Sequence, residues 1–437
     1  MKKFFMATSL VATMLTLAAC GSSNSEEASS TAAAGDEKVT LTFSWWGGEL
    51  RHNSTQEAVE LYEELNPNVD IQVEYSSWDD YWKKLATKSA SGDLPDVMQM
   101  DLQYISQYGL KNQLSDLSEF AVKGGAIDTT YTDESLVEGS KIGDELFGFP
   151  ISKNALSMLT NTSALADTGV TIDYENWDFE DWKQVVSDVH EKTGKYGMVD
   201  VGDIAILFSY YLRTEGESLY TYDDEGNPSL NYTDENFTAF FETMQGLVAE
   251  GAMPTPEVVK NVKSFDENPF ALGESALMET WTNQYNLYND ATEDDLSLDL
   301  VYGANNENNP LSYRQAMFYS IAETSEYKEE AADFIDWIVN STEAADILGT
   351  ERGISTNSQV VEHLSANMTE IEKETADYLT DIADVVGDPE AVPPLGYTEI
   401  NTLLNDMYSE VAYGEKDVKS FCDEFRVKAE EVLADNY

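Results

Sequence analysis

The sequence is short of cysteine, histidine and positive charge, and each shortage removes a class of function. Two cysteines, Cys20 and Cys422, stand in 437 residues, so neither a disulfide framework nor a thiolate metal site is available. The three histidines, His52, His190 and His363, lie far apart without an HExxH spacing, which leaves a zinc hydrolase without ligands. Lys and Arg total 25 against 82 Asp and Glu, a formal net charge of −57. Such a chain is repelled by phosphate backbones and anionic headgroups, because binding them needs clustered cations to displace counterions. Nucleic acid is therefore excluded as a partner. The sequence contains no G-x-S-x-G nucleophile elbow and no GxxxxGK[ST] phosphate loop, so two further kinds of chemistry drop out. Beyond residue 17 no apolar run approaches the roughly 20 residues a membrane-spanning helix needs. What is present is apolar and aromatic: 42% hydrophobic residues, with 8 Trp, 24 Tyr and 17 Phe. That is ample for globular cores and excludes general disorder. The length suggests two or three folding units of about 150 residues, and the charge favours a soluble monomer without naming a ligand.

Met1-Lys2-Lys3 followed by the apolar stretch 4–17 reads as a signal peptide over residues 1–19. Its end, Leu17-Ala18-Ala19-Cys20-Gly21, resembles the lipobox of bacterial lipoproteins. That resemblance implies that Cys20 is lipidated and becomes the mature N-terminus. Residues 20–38, rich in Ser, Ala and Gly, then form a flexible tether. The expected location is the extracellular face of the cytoplasmic membrane, with membrane contact through the lipid anchor alone. Loss of Lys2 and Lys3 with the signal makes the mature chain more negative still. Cys422, in a helical-looking tail, reads as a small core residue.

Val39, Leu41 and Phe43 alternate as in a strand, and after Trp45-Trp46-Gly47-Gly48 the period changes. Ser54 with Glu57 suggests a capping box, and Ala58, Val59, Tyr62 and Leu65 mark one helical face that ends at Asn66-Pro67. Val69, Ile71, Val73 and Tyr75 alternate again. This β–α–β order predicts an α/β layered fold with a largely parallel sheet. A helix over 79–89 and an extended segment over 96–100 continue it. Farther on, the patterns predict extended chain over 146–159 broken at Pro150, helices over 179–191 and 236–250, and a strand over 276–279 leading into Trp281. Short buried strands are expected at Val301-Tyr302 and over 316–322, a helix over 328–339, and a closing helical pair over 399–411 and 415–433.

Ligands of such sheets gather at the carboxyl ends of the strands, which singles out the loop after Trp46 and also Asp101. Neighbouring strand residues point to opposite faces, so at least one of Trp45 and Trp46 is expected in a cleft. Gly47 and Gly48 allow a close backbone approach there. Indole faces pack on the C–H faces of sugars, and Arg51 and His52 beside them would donate to hydroxyls. Trp78 and Tyr81 offer the same chemistry after the second strand, although Tyr81 suits the packing face of the next helix equally well. Asp223 to Asn227 has the look of a calcium loop, but Gly226 comes too early for one, so an acidic turn and no metal are expected. A glycosidase needs two carboxylates about 5–10 Å apart; among 82 acids no particular pair is singled out, and no catalytic residue is assigned.

Leu41-Thr-Phe-Ser-Trp-Trp-Gly-Gly, the Ala58 to Val69 run, Trp78-Asp-Asp-Tyr-Trp-Lys-Lys-Leu-Ala, Gly92-Asp-Leu-Pro-Asp-Val-Met, Phe149-Pro-Ile-Ser-Lys-Asn-Ala-Leu, Gly273-Glu-Ser-Ala-Leu-Met-Glu-Thr-Trp and Glu351-Arg-Gly-Ile-Ser follow one another in order. The series resembles the extracellular solute-binding proteins of carbohydrate ABC importers, the group that includes maltodextrin-binding proteins. The resemblance implies an α/β periplasmic-binding-protein fold of two hinge-connected lobes with an interlobe ligand cleft. The lobes would be 39–150 plus 302–349 and 151–301 plus 350–437. It implies a binding protein and not an enzyme, with no cofactor, an oligosaccharide ligand and ABC permease subunits as partners. It places Asn154 as a sugar-hydroxyl partner and Trp281 as a stacking aromatic, with Asn283 and Gln284 as amide donors and Arg352 and Tyr397 as further cleft residues. Where relatives commonly carry Arg-Gly-Ile/Val-Pro, this chain has Ser355, a departure that bears on the loop holding Arg352. The negative charge favours a neutral sugar unless the cleft is locally basic. The same fold with a polyamine or peptide ligand, and a surface glycoside hydrolase or adhesion lipoprotein, remain as alternatives.

Overall fold

Alternating apolar residues place one side of each early strand in a core. In the computed structural model, which describes residues 38–436 apart from 167, 224 and 225, Leu41, Phe43 and Trp45 are fully buried on one such side. The expected signal peptide, Cys20 and nearly all of the tether lie outside the described residues. So does part of the acidic turn 223–227. Strand Val39–Trp46 pairs in parallel with Val69–Ser76 along its whole length and with Val97–Asp101 on its other side. Met317–Ile321 adds antiparallel to Val97–Asp101 and Phe149–Pro150 closes the edge, giving a five-stranded sheet in which four strands run the same way. Helices Glu49–Leu65, Trp78–Ser91 and Lys328–Asn340 cover it. The largely parallel sheet expected from the β–α–β order is present.

The first helix starts more than a turn earlier than the Ser54/Glu57 pattern suggests. Gly48, extended at its N-cap with no side-chain cap, lets the strand turn directly into helix, and Glu49 supplies a negative charge to the positive end of the helix dipole. Ser54 lies inside the helix and donates to the Arg51 carbonyl, so there is no capping box. Arg51 and His52 are therefore first-turn residues and not loop residues. The second helix ends at Gly92, whose φ of 72° is the left-handed cap that glycine adopts without strain.

A second sheet runs in the order Tyr196–Val199, Ser275–Trp281, Ser152–Asn161, Leu296–Asp299, with Tyr313–Arg314 and Ile354–Ser355 also paired to Ser152–Asn161. Each sheet has its own hydrophobic core. One gathers Phe43, Trp45, Phe149, Phe318 and Phe334. The other gathers Trp182, Phe208, Phe237, Phe240, Phe421 and Cys422 under helices Asp234–Glu250, Tyr397–Ala412 and Val418–Asn436, so Cys422 is the core residue expected. Chain passes between the sheets at Ile151, between Arg314 and Met317, and again before Ile354. Val301 and Tyr302 are buried but form a turn and not a strand. With Ala304, Leu311 and Tyr313 they pack in the second core, and the chain rejoins the first sheet at Met317. The return expected at 302 thus comes some residues later.

Candidate functional site: two cavities beside the crossing strands

Val39–Trp46 and Val97–Asp101 end beside the start of Met317–Ile321, where Met317 pairs with Asp101. From this edge the chain enters the second sheet through Asn154, whose register partner is Arg314. Two cavities flank these residues.

The first, of about 310 Å³, is lined by helix Ile204–Thr214, hairpin strand Ser218–Tyr222, Trp281, segments 310–314 and 389–393, Tyr397, and Leu102 from the first sheet's side. The Arg314 guanidinium lies over the Trp281 indole, 4.4 Å from its centroid. Tyr397 opens its helix directly after Gly396, φ 85°. Burial pushes its hydroxyl up to about 12, against the pull of Arg314. The second cavity, of about 610 Å³, lies between Leu50, Arg51, Met317 and Leu348 on one side and Asn154, Asn283, Asn286 and segment 350–354 on the other. Arg51 donates through Nε to both Glu351 oxygens, at 2.9 and 2.8 Å, and through Nη1 to the Trp46 carbonyl at 3.3 Å. Arg352, buried, donates to Thr55 Oγ1 at 2.8 Å and to Gln99 Oε1 at 3.4 Å. The Asn154 amide nitrogen is buried without a protein partner.

The expected site residues therefore divide. Trp281 and Tyr397 line the first cavity, and Arg51, Asn154, Asn283 and Arg352 line the second. Others are withdrawn from both. Trp45 is fully buried and stacks on Tyr75, 5.3 Å between centroids, so it is a core residue. His52 packs on that same face, 4.4 Å from Tyr75, with its protonation disfavoured first by burial and then by Arg51 and Arg352. Tyr81 is buried and donates to the Gln99 carbonyl at 2.7 Å, which makes it the packing residue of its helix. Gln284 accepts from Thr280 Oγ1 at 2.6 Å and lines neither cavity. Trp46, on the face opposite Trp45, is buried among Trp78, Tyr81 and Trp82 at 5.0 to 5.5 Å. Trp78 is 36% exposed at the edge of that aromatic cluster. Asp101 caps the next helix by accepting from the Gln103 amide at 2.9 Å, and burial raises its carboxyl to about 6, opposed by that amide and by Arg314. The cavities also bring in Arg213, Arg314, Tyr220 and Glu351, which the sequence did not single out as site residues. A usable signal was present, since the chain has five arginines in all.

Two sheets with separate cores, several chain crossings and two polar cavities beside those crossings, one of them aromatic-lined, match the architecture of solute-binding proteins. The chain belongs to the bacterial extracellular solute-binding protein family, whose model matches residues 49–345. It is 24% identical over 283 residues to a carbohydrate ABC transporter substrate-binding protein of Streptococcus pneumoniae serotype 4, an alignment covering 61% of this chain and 55% of the relative. The chain thus spans about half the length of that relative. Among solved structures it is similar to an extracellular solute-binding protein family 1 member from Alicyclobacillus acidocaldarius, with 26% identity, a TM-score of 0.71, and 90% and 98% of the two chains covered. A periplasmic oligogalacturonide binding protein from Yersinia enterocolitica, in complex with saturated digalacturonic acid, shares the fold at 24% identity and a TM-score of 0.73, over 91% and 99% of the chains.

Proposed function

We propose that this chain is the lipid-anchored, extracellular solute-binding component of an ABC importer, capturing an oligosaccharide between two lobes that close on it and handing it to the permease. The lobes are the bodies built on the two sheets, and Cys20 carries the anchor. The observation that carries this reading is the placement of Trp281 and Tyr397 in one cavity with the amides of Asn154 and Asn283 in its neighbour. An aromatic face and side-chain amides are what a hydroxylated ring needs, because dehydrating such amides is offset only when a matching hydroxyl replaces the lost water. A ligand that touches both bodies favours the closed state by its differential contacts.

A thermal-shift panel of oligosaccharides tests the binding, since a bound ligand raises stability by RT ln(1 + [L]/Kd). A panel that produces no shift while a peptide or polyamine does would remove the carbohydrate reading. Mass spectrometry of the mature N-terminus tests the anchor: the expected species is acylated at Cys20, and Cys20→Ser should release the protein from the membrane.

A further inference from the structure

The five arginines are Arg51, Arg213, Arg314, Arg352 and Arg426, and the first four line the two cavities. In a chain with 82 acids, four of the five arginines stand in these cavities, beside Glu351, Glu372 and Glu390. Three of these guanidiniums are engaged within the protein. Arg51 is held by Glu351, and Arg352 lies 3.6 Å from the same carboxylate. Arg213 donates to the backbone carbonyls of Pro310 and Asp388 at 2.5 and 2.6 Å, clamping two segments of the cavity wall.

Arg314 is different. Among the described residues it makes no ion pair, its Nε is buried with no protein partner, and its plane lies over Trp281. The Tyr220 hydroxyl, on the same cavity, is also buried without a protein partner. Two acids lie near it without a salt bridge among the described residues, although Asp101 feels its charge. Glu390 is exposed at the rim, and Asp101 is engaged with the Gln103 amide. A half-buried guanidinium whose Nε lacks a partner leaves a donor unsatisfied, and a planar carboxylate is the bidentate partner that fits it best.

Resting on the carbohydrate reading above, we propose that the ligand is an acidic oligosaccharide whose ring carboxylate is received by Arg314, with Tyr220 as a second donor. The guanidinium on the indole presents its donors at the edge of the surface on which a sugar ring packs. A carboxylate there supplies the missing charge, whereas a hydroxymethyl does not. The expectation of a neutral sugar drew on the total charge, which is spread over the surface and does not describe the cleft. The same guanidinium opposes a polyamine.

Calorimetry on the purified protein tests this with disaccharides of galacturonate, glucuronate and mannuronate, each against its neutral counterpart, and with a sulfated disaccharide. The expected result is that one uronate binds on the order of tenfold tighter than its neutral form, as a charge-assisted bond implies. Arg314→Gln should abolish most of that preference and Arg314→Lys restore part of it, with the ligand-free melting temperature reporting that both variants are folded. Equal or tighter binding of the neutral forms, or a preference that survives Arg314→Gln, overturns the proposal and leaves the carbohydrate reading standing. Tighter binding of the sulfated sugar overturns the carboxylate assignment. If no sugar of any class binds, both readings fall.

Discussion

Trp281 and Tyr81 read alike in the sequence, as aromatic groups near strand ends, and their surroundings part them. Trp281 ends its strand half-buried, with the Arg314 guanidinium over its indole, and lines the first cavity. Truncation to alanine should weaken oligosaccharide binding by about 1–3 kcal/mol, the scale of burying a large apolar side chain, with little loss of thermal stability. Calorimetry showing unchanged affinity would remove Trp281 from the site. Tyr81 is sealed in the first core and its hydroxyl serves the Gln99 carbonyl. Tyr81→Phe keeps the ring and loses the bond, so it should cost about 1 kcal/mol of stability in a denaturant melt while leaving ligand affinity as it was. An affinity change without a stability change would mean that Tyr81 reaches the ligand after all.

At the scale of elements, the strand that ends in Trp281 also carries Glu279 on the same side, two residues back. Glu279 is fully buried, and neither carboxylate oxygen has a protein partner. Burial and then the neighbouring Asp200 push it up to about 8; burial and Asp203 raise Asp200 to about 6, against the Gly202 amide. The folded state therefore holds these protons over a range in which the unfolded chain, with a Glu value near 4.5, has released them. By linkage this contribution is favourable at and below the unfolded value and is lost as pH rises from there toward 8. Urea melts of the wild type and Glu279→Gln at pH 5, 7 and 9 should show the variant gaining relative stability with rising pH. A constant difference would show that Glu279 does not titrate in that window. The same strands show what a sequence makes legible. Long alternating runs and periodic helices of the first sheet are local, so Val39–Trp46, Val69–Ser76 and the helices around them could be read directly. The two-residue strands Tyr313–Arg314 and Ile354–Ser355 exist only as partners of Ser152–Asn161, and no local pattern announces them. Arg314 reaches the first cavity through that long-range register, so nothing local pointed to it, whereas Asn154 was expected from the family resemblance alone. Aromatic residues failed in the opposite way: the alternation rule said that Trp45 and Trp46 face apart, but which face a helix covers is decided by packing, and both ended up buried.

The whole molecule sets a formal charge of −57 around two cavities lined by four of its five arginines. These two facts act at different distances. Repulsion of an acidic sugar by the surface is long-ranged and falls away as the Debye length shrinks, from roughly 30 Å at 0.01 M salt to about 10 Å at 0.1 M. The proposed contact with Arg314 would be short, partly buried and much less screened. Association of a uronate disaccharide should therefore quicken with added salt, severalfold on the scale by which such fields alter encounter rates, roughly 10–1000-fold at the extreme, while dissociation changes little. Its neutral counterpart should associate at a rate independent of salt. Stopped-flow tryptophan fluorescence separates the two, since Trp281 lies in the cavity. A uronate association rate that falls with salt would mean that the arginines dominate the field at the cleft mouth as well as inside it, and that the acidic surface does not govern the approach.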